Sequence, residues 1–313
     1  MDNKAIVIVG MHRSGTSALS GLLNDLGVFM GKNLFGPQKG VNEKGFFENS
    51  QIVRINEELF DEACSSWDDP LANCFIKNNT FDENSWLYSD ALSTVMAEYA
   101  CHKLWAMKDP RTSINLEFWQ RIFSDLNVEP YYIIMLRDPL EVAASLEKRD
   151  RFSRKKSLML WINYTLSSYM QCIDKQCYIL NYGKLLSEPE TVILELKNTL
   201  GVTLDSTKTS FIDRKLRHQA NNEIMKTTDD VSRIALALYN ELSEQEPSHT
   251  NIVNLLLEYQ QYLASLTDVL IEHLAIVKRD EIHFRKLFEK AYRSIWWKLN
   301  WPLRRLEYYF FKS

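Results

Sequence analysis

Residues 7–19 read VIVGMHRSGTSAL. An apolar run, Ala5–Val9, ends at Gly10, and a short polar turn follows. Beyond the turn Ala18, Leu19, Leu22, Leu23 and Leu26 recur at helical spacing until Gly27 supplies a stop. A buried strand, a tight turn and a helix in that order form the opening unit of a parallel α/β sheet. The turn has its own chemistry. Ser14, Gly15, Thr16 and Ser17 are small enough to let backbone N–H groups approach an anion, and the helix behind them presents its positive end to it. Gly10 and Gly15 keep the spacing of the phosphate-cradling pattern G-x-x-x-x-G-K-[ST]. Thr16 stands where that pattern has lysine, and the cation of the turn is Arg13. The plainer alternative is a turn that needs its glycines for geometry alone.

Working outward, Leu104–Met107, Tyr131–Leu136 and Cys177–Leu180 read as three more buried strands separated by helical patterns. Asp138-Pro139-Leu140-Glu141 sets an N-cap, a proline at the first helical position and a capping-box acid. Glu188–Leu200 reads as a helix stopped at Gly201. Between the first helix and the second strand lies an excursion of about 75 residues, with helical pieces near Ile52–Ala63 and Trp86–Tyr99, where a substrate wall is expected. Past residue 220 the strand signal ends. Thr228-Asp-Asp opens a helix to about Glu244, and from Ile252 a heptad-like seam runs through Leu256, Tyr259, Leu263, Leu266 and Leu270. The expected fold class is therefore α/β: a P-loop-like parallel sheet flanked by helices, with an all-helical C-terminal extension. The expected domains are residues 1–220 and 221–313. The seam reads as one long helix packed on its own domain, or as a homodimer contact through the helix near 252–288.

Bulk numbers exclude several classes. A chain of 313 residues with 45% hydrophobic and 25% charged residues suits a globular protein with a sizeable core. A net charge of −4 argues against a nucleic-acid binder, which carries a basic stripe. Five cysteines without a CxxC pair fit a reducing compartment. The start MDNKAIVIVG is too short for a signal peptide, and no window reaches the apolar length of a membrane span. These features point to a cytoplasmic protein.

Each strand's carboxyl end carries polar groups: Gly10–Ser17, then Lys108-Asp109-Pro110-Arg111, then Arg137-Asp138, then Asn181-Tyr182. In an open parallel sheet, ligands bind in the crevice outside those ends. Four motifs converging there say more than one glycine pair does.

These segments resemble the sulfotransferase family, whose donor is 3′-phosphoadenosine-5′-phosphosulfate (PAPS). HRSGTSAL (12–19) is similar to the family's 5′-phosphosulfate loop, and LRDPLEVAASL (136–146) to its 3′-phosphate motif. KDPRTS (108–113) and FIDRKLRHQ (211–219) look like bacterial carbohydrate-type members, and NYGKLLSEP (181–189) resembles the segment that borders the adenine. The likeness spans roughly residues 5–220 and implies a sulfuryl transfer from PAPS to a hydroxyl of a sugar or cell-surface glycan precursor, with 3′,5′-bisphosphoadenosine (PAP) as product. By that resemblance Arg13 reaches the 5′-phosphate and the bridging oxygen. Ser14 and Gly15 lend backbone, and Thr16 and Ser17 add hydroxyls. Arg137 and Ser145 bind the 3′-phosphate, and Tyr182 lies near the base. Arg137 has a second reading, as the ion-pair partner of Glu141.

An in-line transfer of this kind is catalysed mainly by positioning and cations. A sulfuryl group carries less charge than a γ-phosphate, so no metal is expected. Lys108 is the candidate second cation, with bonding to loop carbonyls as its alternative. For the base, the resemblance to carbohydrate-type members points to a glutamate some thirty residues after the loop. Glu48 in KGFFENSQIV (44–53) fits, paired with Lys44, and Asp109 is the second choice. The alternative for Glu48 is a place beside the N-cap of the following helix.

The end of the chain, RSIWWKLNWPLRRLEYYFFKS (293–313), sets five basic residues and seven aromatic ones at near-helical spacing. It suits peripheral contact with the inner face of the cytoplasmic membrane, or an aromatic helix docked on protein. It also resembles the tail of surface-polysaccharide glycosyltransferases. Two rival functions stay open: a P-loop kinase or NTPase with an atypical loop, and a non-catalytic scaffold in polysaccharide assembly.

Overall fold

The computed structural model describes residues 4–36, 45–72, 81–200, 229–266 and 268–294. It divides into two compact units, Met1–Leu263 and Ala264–Ser313. In the first, a strand β1 (Lys4–Val9) leads through the Gly10–Gly15 turn into α1 (Thr16–Asp25). Helices α2 (Ser50–Glu62) and α3 (Trp86–Tyr99) precede β2 (Leu104–Lys108), a 3-10 turn at Pro110–Ser113 and α4 (Leu116–Asp125). Then come β3 (Glu129–Leu136), α5 (Pro139–Asp150), α6 (Arg154–Cys172), β4 (Cys177–Asn181), α7 (Tyr182–Ser187) and α8 (Pro189–Leu200). Helices α9 (Asp230–Ser243) and α10 (His249–Ala264) complete the described part of this unit.

Among the described residues the four strands make one parallel sheet in the order β2-β1-β3-β4. Both faces are covered, as an all-parallel sheet requires. On one face Leu19, Leu22, Leu23 and Leu26 of α1 pack with Leu185, Leu186, Val192 and Leu196 of α7 and α8. On the other, α6 and α9 pack against β3. Register aligns the ends: Ile8 stands opposite Lys108, Val9 opposite Ile134, and Leu136 opposite Asn181. The segments that leave the four strands therefore meet along one edge.

All four expected strands are present, each lengthened by one or two residues, and the helices at Ile52–Ala63, Trp86–Tyr99 and Glu188–Leu200 stand within two residues of their expected bounds. The long C-terminal helix does not. The seam divides into α10 and a separate α11 (Asp268–Arg293), with a turn at Ser265 between them. The seam residues Ile252, Tyr259 and Leu263 are buried on α10, so these heptad positions serve packing within the first unit. Helix α11 belongs to the second unit and is amphipathic, with Val277, Phe284 and Phe288 exposed. The expected boundary at 220/221, the RKLRH segment, Lys44 and residues 295–313 of the aromatic tail lie outside the described residues. Among the described residues no helix is long and apolar enough to cross a membrane.

Candidate active site

The Gly10–Gly15 turn is held from two sides. Gly10, at φ +137°, lies so near β3 that a Cβ would come within 2.7 Å of the Met135 carbonyl oxygen. Its N–H donates to Ser113 Oγ at 2.8 Å, which ties the loop to the turn after β2. Gly15 caps α1 at φ +95°, and Arg13 is also left-handed at φ +70°. Helices α2, α3 and α5 are each capped by a side chain, from Asn49, Ser85 and Asp138, whereas α1 has no side-chain cap. With no side-chain cap on it, the positive end of α1 suits an acceptor from outside the helix. Beside it Ser14 Oγ is buried without a hydrogen-bond partner. That orphaned hydroxyl and the backbone cradle fit an anion.

The loop is bonded in both directions to the segment after β3. Arg13 Nε donates to Ser145 Oγ at 2.8 Å, and Arg137 Nη1 donates to the Arg13 carbonyl at 2.9 Å. Arg137 Nε also pairs with Glu141 at 2.9 Å, which is the ion pair expected as its second reading. Its guanidinium lies 4.6 Å over the ring of Tyr182, and that ring packs directly on Gly15. Trp161 Nε1 donates to the Arg137 carbonyl at 3.0 Å and fixes the end of β3. Burial lowers the Arg13 pKa first, and the neighbouring cations Arg149 and Arg137 lower it further. Cations held together against their own repulsion make a site for a multiply charged anion.

A second cluster lies where β2 ends. Lys108 Nζ, nearly fully buried, donates to Glu48 Oε1 at 2.6 Å, to the Phe46 carbonyl at 2.9 Å and to Ser17 Oγ at 3.2 Å. One lysine thus joins the loop's last hydroxyl to the Glu48 carboxylate and also bonds a loop carbonyl. Asn49, not Glu48, caps α2, accepting from the N–H groups of Gln51 and Ile52. Glu48 is free of that task and points at Lys108 and Arg111. Asp109 is wholly buried and engaged: it accepts from Asn56 Nδ2 at 2.8 Å, from the Arg111 N–H at 3.1 Å and from Arg111 Nη1 at 2.9 Å. A carboxylate so occupied holds the turn rather than awaiting a proton.

Several residues of the site had escaped the sequence reading. Asn56 is a buried hub on α2, donating to Asp109 and Thr112 and accepting from Asn115 and Trp119 Nε1. Its only sequence signal is a polar residue on an otherwise apolar helix face. Arg111 and Ser113 sit inside the quoted KDPRTS and carry roles that spacing cannot reveal. The His12 ring lies tilted, 4.5 Å from the ring of Trp67, and its Nε2 is buried without a partner. Burial holds its pKa well below the ordinary range, reinforced by Arg111, Arg149, Lys108 and Arg13. It is a neutral imidazole.

A parallel sheet whose first strand opens into a glycine-bounded turn lined with arginines defines a P-loop-like α/β protein with a cationic carboxyl edge, where ligands of open parallel sheets bind. The chain belongs to the sulfotransferase family, whose model matches residues 5–206. Among solved structures it is similar to the sulfotransferase domain of the olefin synthase of Synechococcus PCC 7002, at 17% identity over 83% of this chain and 96% of that one, TM-score 0.40. It is also similar to sulfotransferase STF9 from Mycobacterium avium, at 11% identity over 85% and 77%, TM-score 0.43. A third likeness is to the sulfotransferase domain from the curacin biosynthetic pathway, at 13% over 82% and 98%, TM-score 0.39. These scores are too low to bear on the site, and the assignment stands on the family match. No curated protein matches the chain.

Proposed function

We propose that this sulfotransferase takes its sulfuryl group from PAPS and delivers it to a hydroxyl of a sugar or glycan in the cytoplasm. The observation that carries the reading is the interlock of the two motifs: Arg13 bonded to Ser145, and Arg137 bonded to the Arg13 carbonyl. Two cationic segments so joined suit a ligand with phosphates at both ends of one nucleoside. The loop backbone with Arg13, Thr16 and Ser17 would hold the 5′ end, and Arg137 with Ser145 the 3′ end. When bound, PAPS supplies the activated sulfuryl group. Arg13, whose guanidinium stays protonated at any working pH, would offset charge that builds on the leaving side, with the Lys108 amine as the second group beside it. Glu48, held by Lys108 at the acceptor side of Ser17, accepts the proton of the attacking hydroxyl.

The rival is a nucleotide kinase or NTPase, and calorimetry separates the two. Titration with PAP should give clearly tighter binding than ADP with magnesium, and Arg137→Ala should weaken PAP by about 1.5–3 kcal/mol, the usual worth of a hydrogen bond to a charged group. Tighter binding of ADP with magnesium would refute the reading. Glu48→Gln should bind PAP normally and lose turnover by about 10²–10⁴-fold; normal turnover would move the base elsewhere.

A further inference from the structure

Three carboxylates converge on one guanidinium beside the loop. Arg111 Nη1 lies 2.9 Å from Asp109 Oδ1 and 3.9 Å from Glu48 Oε2, while Nη2 lies 3.3 Å from Glu57 Oε1. The side chain is 13% exposed, and its Nε is buried without a partner. An arginine paired with a single carboxylate frequently sets its fork bidentate on it. Here the fork is divided, and one nitrogen serves both Asp109 and Glu48. The direction of the fork is preset, because Asp109 is itself pinned by Asn56 and by the Arg111 N–H. Burial pushes the Arg111 pKa down, but Asp109, Glu48 and Glu57 push it up by more, so the cation is permanent.

We infer that Arg111 is a positioning residue that sets the direction and the proton affinity of Glu48. It holds Oε2 from one side while Lys108 holds Oε1 from the other, and Glu57 draws off part of its charge. The inference rests on the proposed role of Glu48 in taking the acceptor's proton. Among the described residues, the charged groups that face Glu48 are Lys108 from β2 and Arg111 from the 3-10 turn. Arg111 in turn faces Asp109 and, from α2, Glu57, and the imidazole of the nearby His12 is neutral. With a cation beside each of its two oxygens, Glu48 is aimed, so that a lone pair is ready for an acceptor hydroxyl. Removing one cation raises its proton affinity, and removing the competing carboxylate lowers it.

The test compares Arg111→Met and Glu57→Gln with wild type, using PAP calorimetry and the pH dependence of kcat with PAPS and a hydroxyl acceptor. Arg111→Met should keep PAP affinity, lose turnover and move the acid limb of the profile up by about one pH unit. Arg111→Lys should recover part of both. Glu57→Gln should move the same limb the other way, by less. A Glu57→Gln limb that stays in place, or that moves in the same direction as the Arg111→Met limb, overturns the inference. So does an Arg111→Met enzyme that folds and keeps its acid limb. Should Arg111→Met not fold, Glu57 is half exposed and its variant carries the test alone. A wild-type protein that fails to bind PAP overturns the donor reading and this inference together; wild-type turnover with unmoved limbs overturns this inference alone.

Discussion

Gly15→Ala puts the sharpest strain on the loop. Gly15 sits at φ +95°, where an L residue is disfavoured by about 1–2 kcal/mol. The added Cβ would also fall 2.2 Å from Tyr182 Cδ2 and 2.7 Å from Cε2, well inside contact distance. The ring cannot stay where it is. It lies under the Arg137 guanidinium and among Leu185, Leu186 and Val192, so moving it disturbs a packed core at a cost of about 1–3 kcal/mol. The two effects together predict a loss of about 2–5 kcal/mol. Urea unfolding of Gly15→Ala, Tyr182→Ala and the double variant separates them. If the overlap with the ring is real, the double variant is less destabilised than the sum of the singles by at least about 1 kcal/mol, because removing the ring frees the space. Additivity within about 0.5 kcal/mol would refute the overlap, and a Gly15→Ala loss under about 1 kcal/mol would refute the strain as well. PAP affinity should fall in Gly15→Ala, since Tyr182 carries Arg137.

Two more perturbations follow from buried polar groups. Burial holds the folded pKa of His12 well below the ordinary 6.5, so as pH falls below about 6.5 the unfolded chain takes up a proton that the native ring refuses. Native stability should therefore decline there by up to about 1.4 kcal/mol per pH unit, and His12→Gln should remove that share of the slope in urea unfolding at pH 5 to 7. An equal slope in the variant would show that His12 titrates normally. Asn56→Leu leaves the Asp109 carboxylate short of a donor and Trp119 Nε1 without its acceptor. The expected loss is about 2–4 kcal/mol, and a loss under about 1 kcal/mol would mean that Asn56 is no hub.

The stretch VIVGMHRSGTSAL carried its own structure because everything it needs is local. A β-branched run makes a buried strand, glycines make the left-handed turn, and a leucine stripe makes the helix. The same locality made the other strands and the cap at Asp138 follow from composition within a few residues. It failed for α6, which is buried on nearly every side and so lacks the one-sided stripe that marks a helix in sequence. It failed also for the C-terminal seam, where packing within the first unit, and not the heptad period, decides where α10 ends.

The candidate site divides the same way. Sequence alone names the residue types at each strand end, since Gly10, Lys108, Arg137 and Asn181 stand directly after their apolar runs. It cannot say which of them touch. That Arg13 reaches Ser145 across 132 positions, or that Lys108 holds Glu48, depends on the strand order β2-β1-β3-β4 and the common register of its ends. Asn56 and Arg111 become hubs only when α2 closes over the turn after β2. Chain-local propensities set the elements, and the burial of polar side chains between distant elements, which each need a partner once water is gone, set the site.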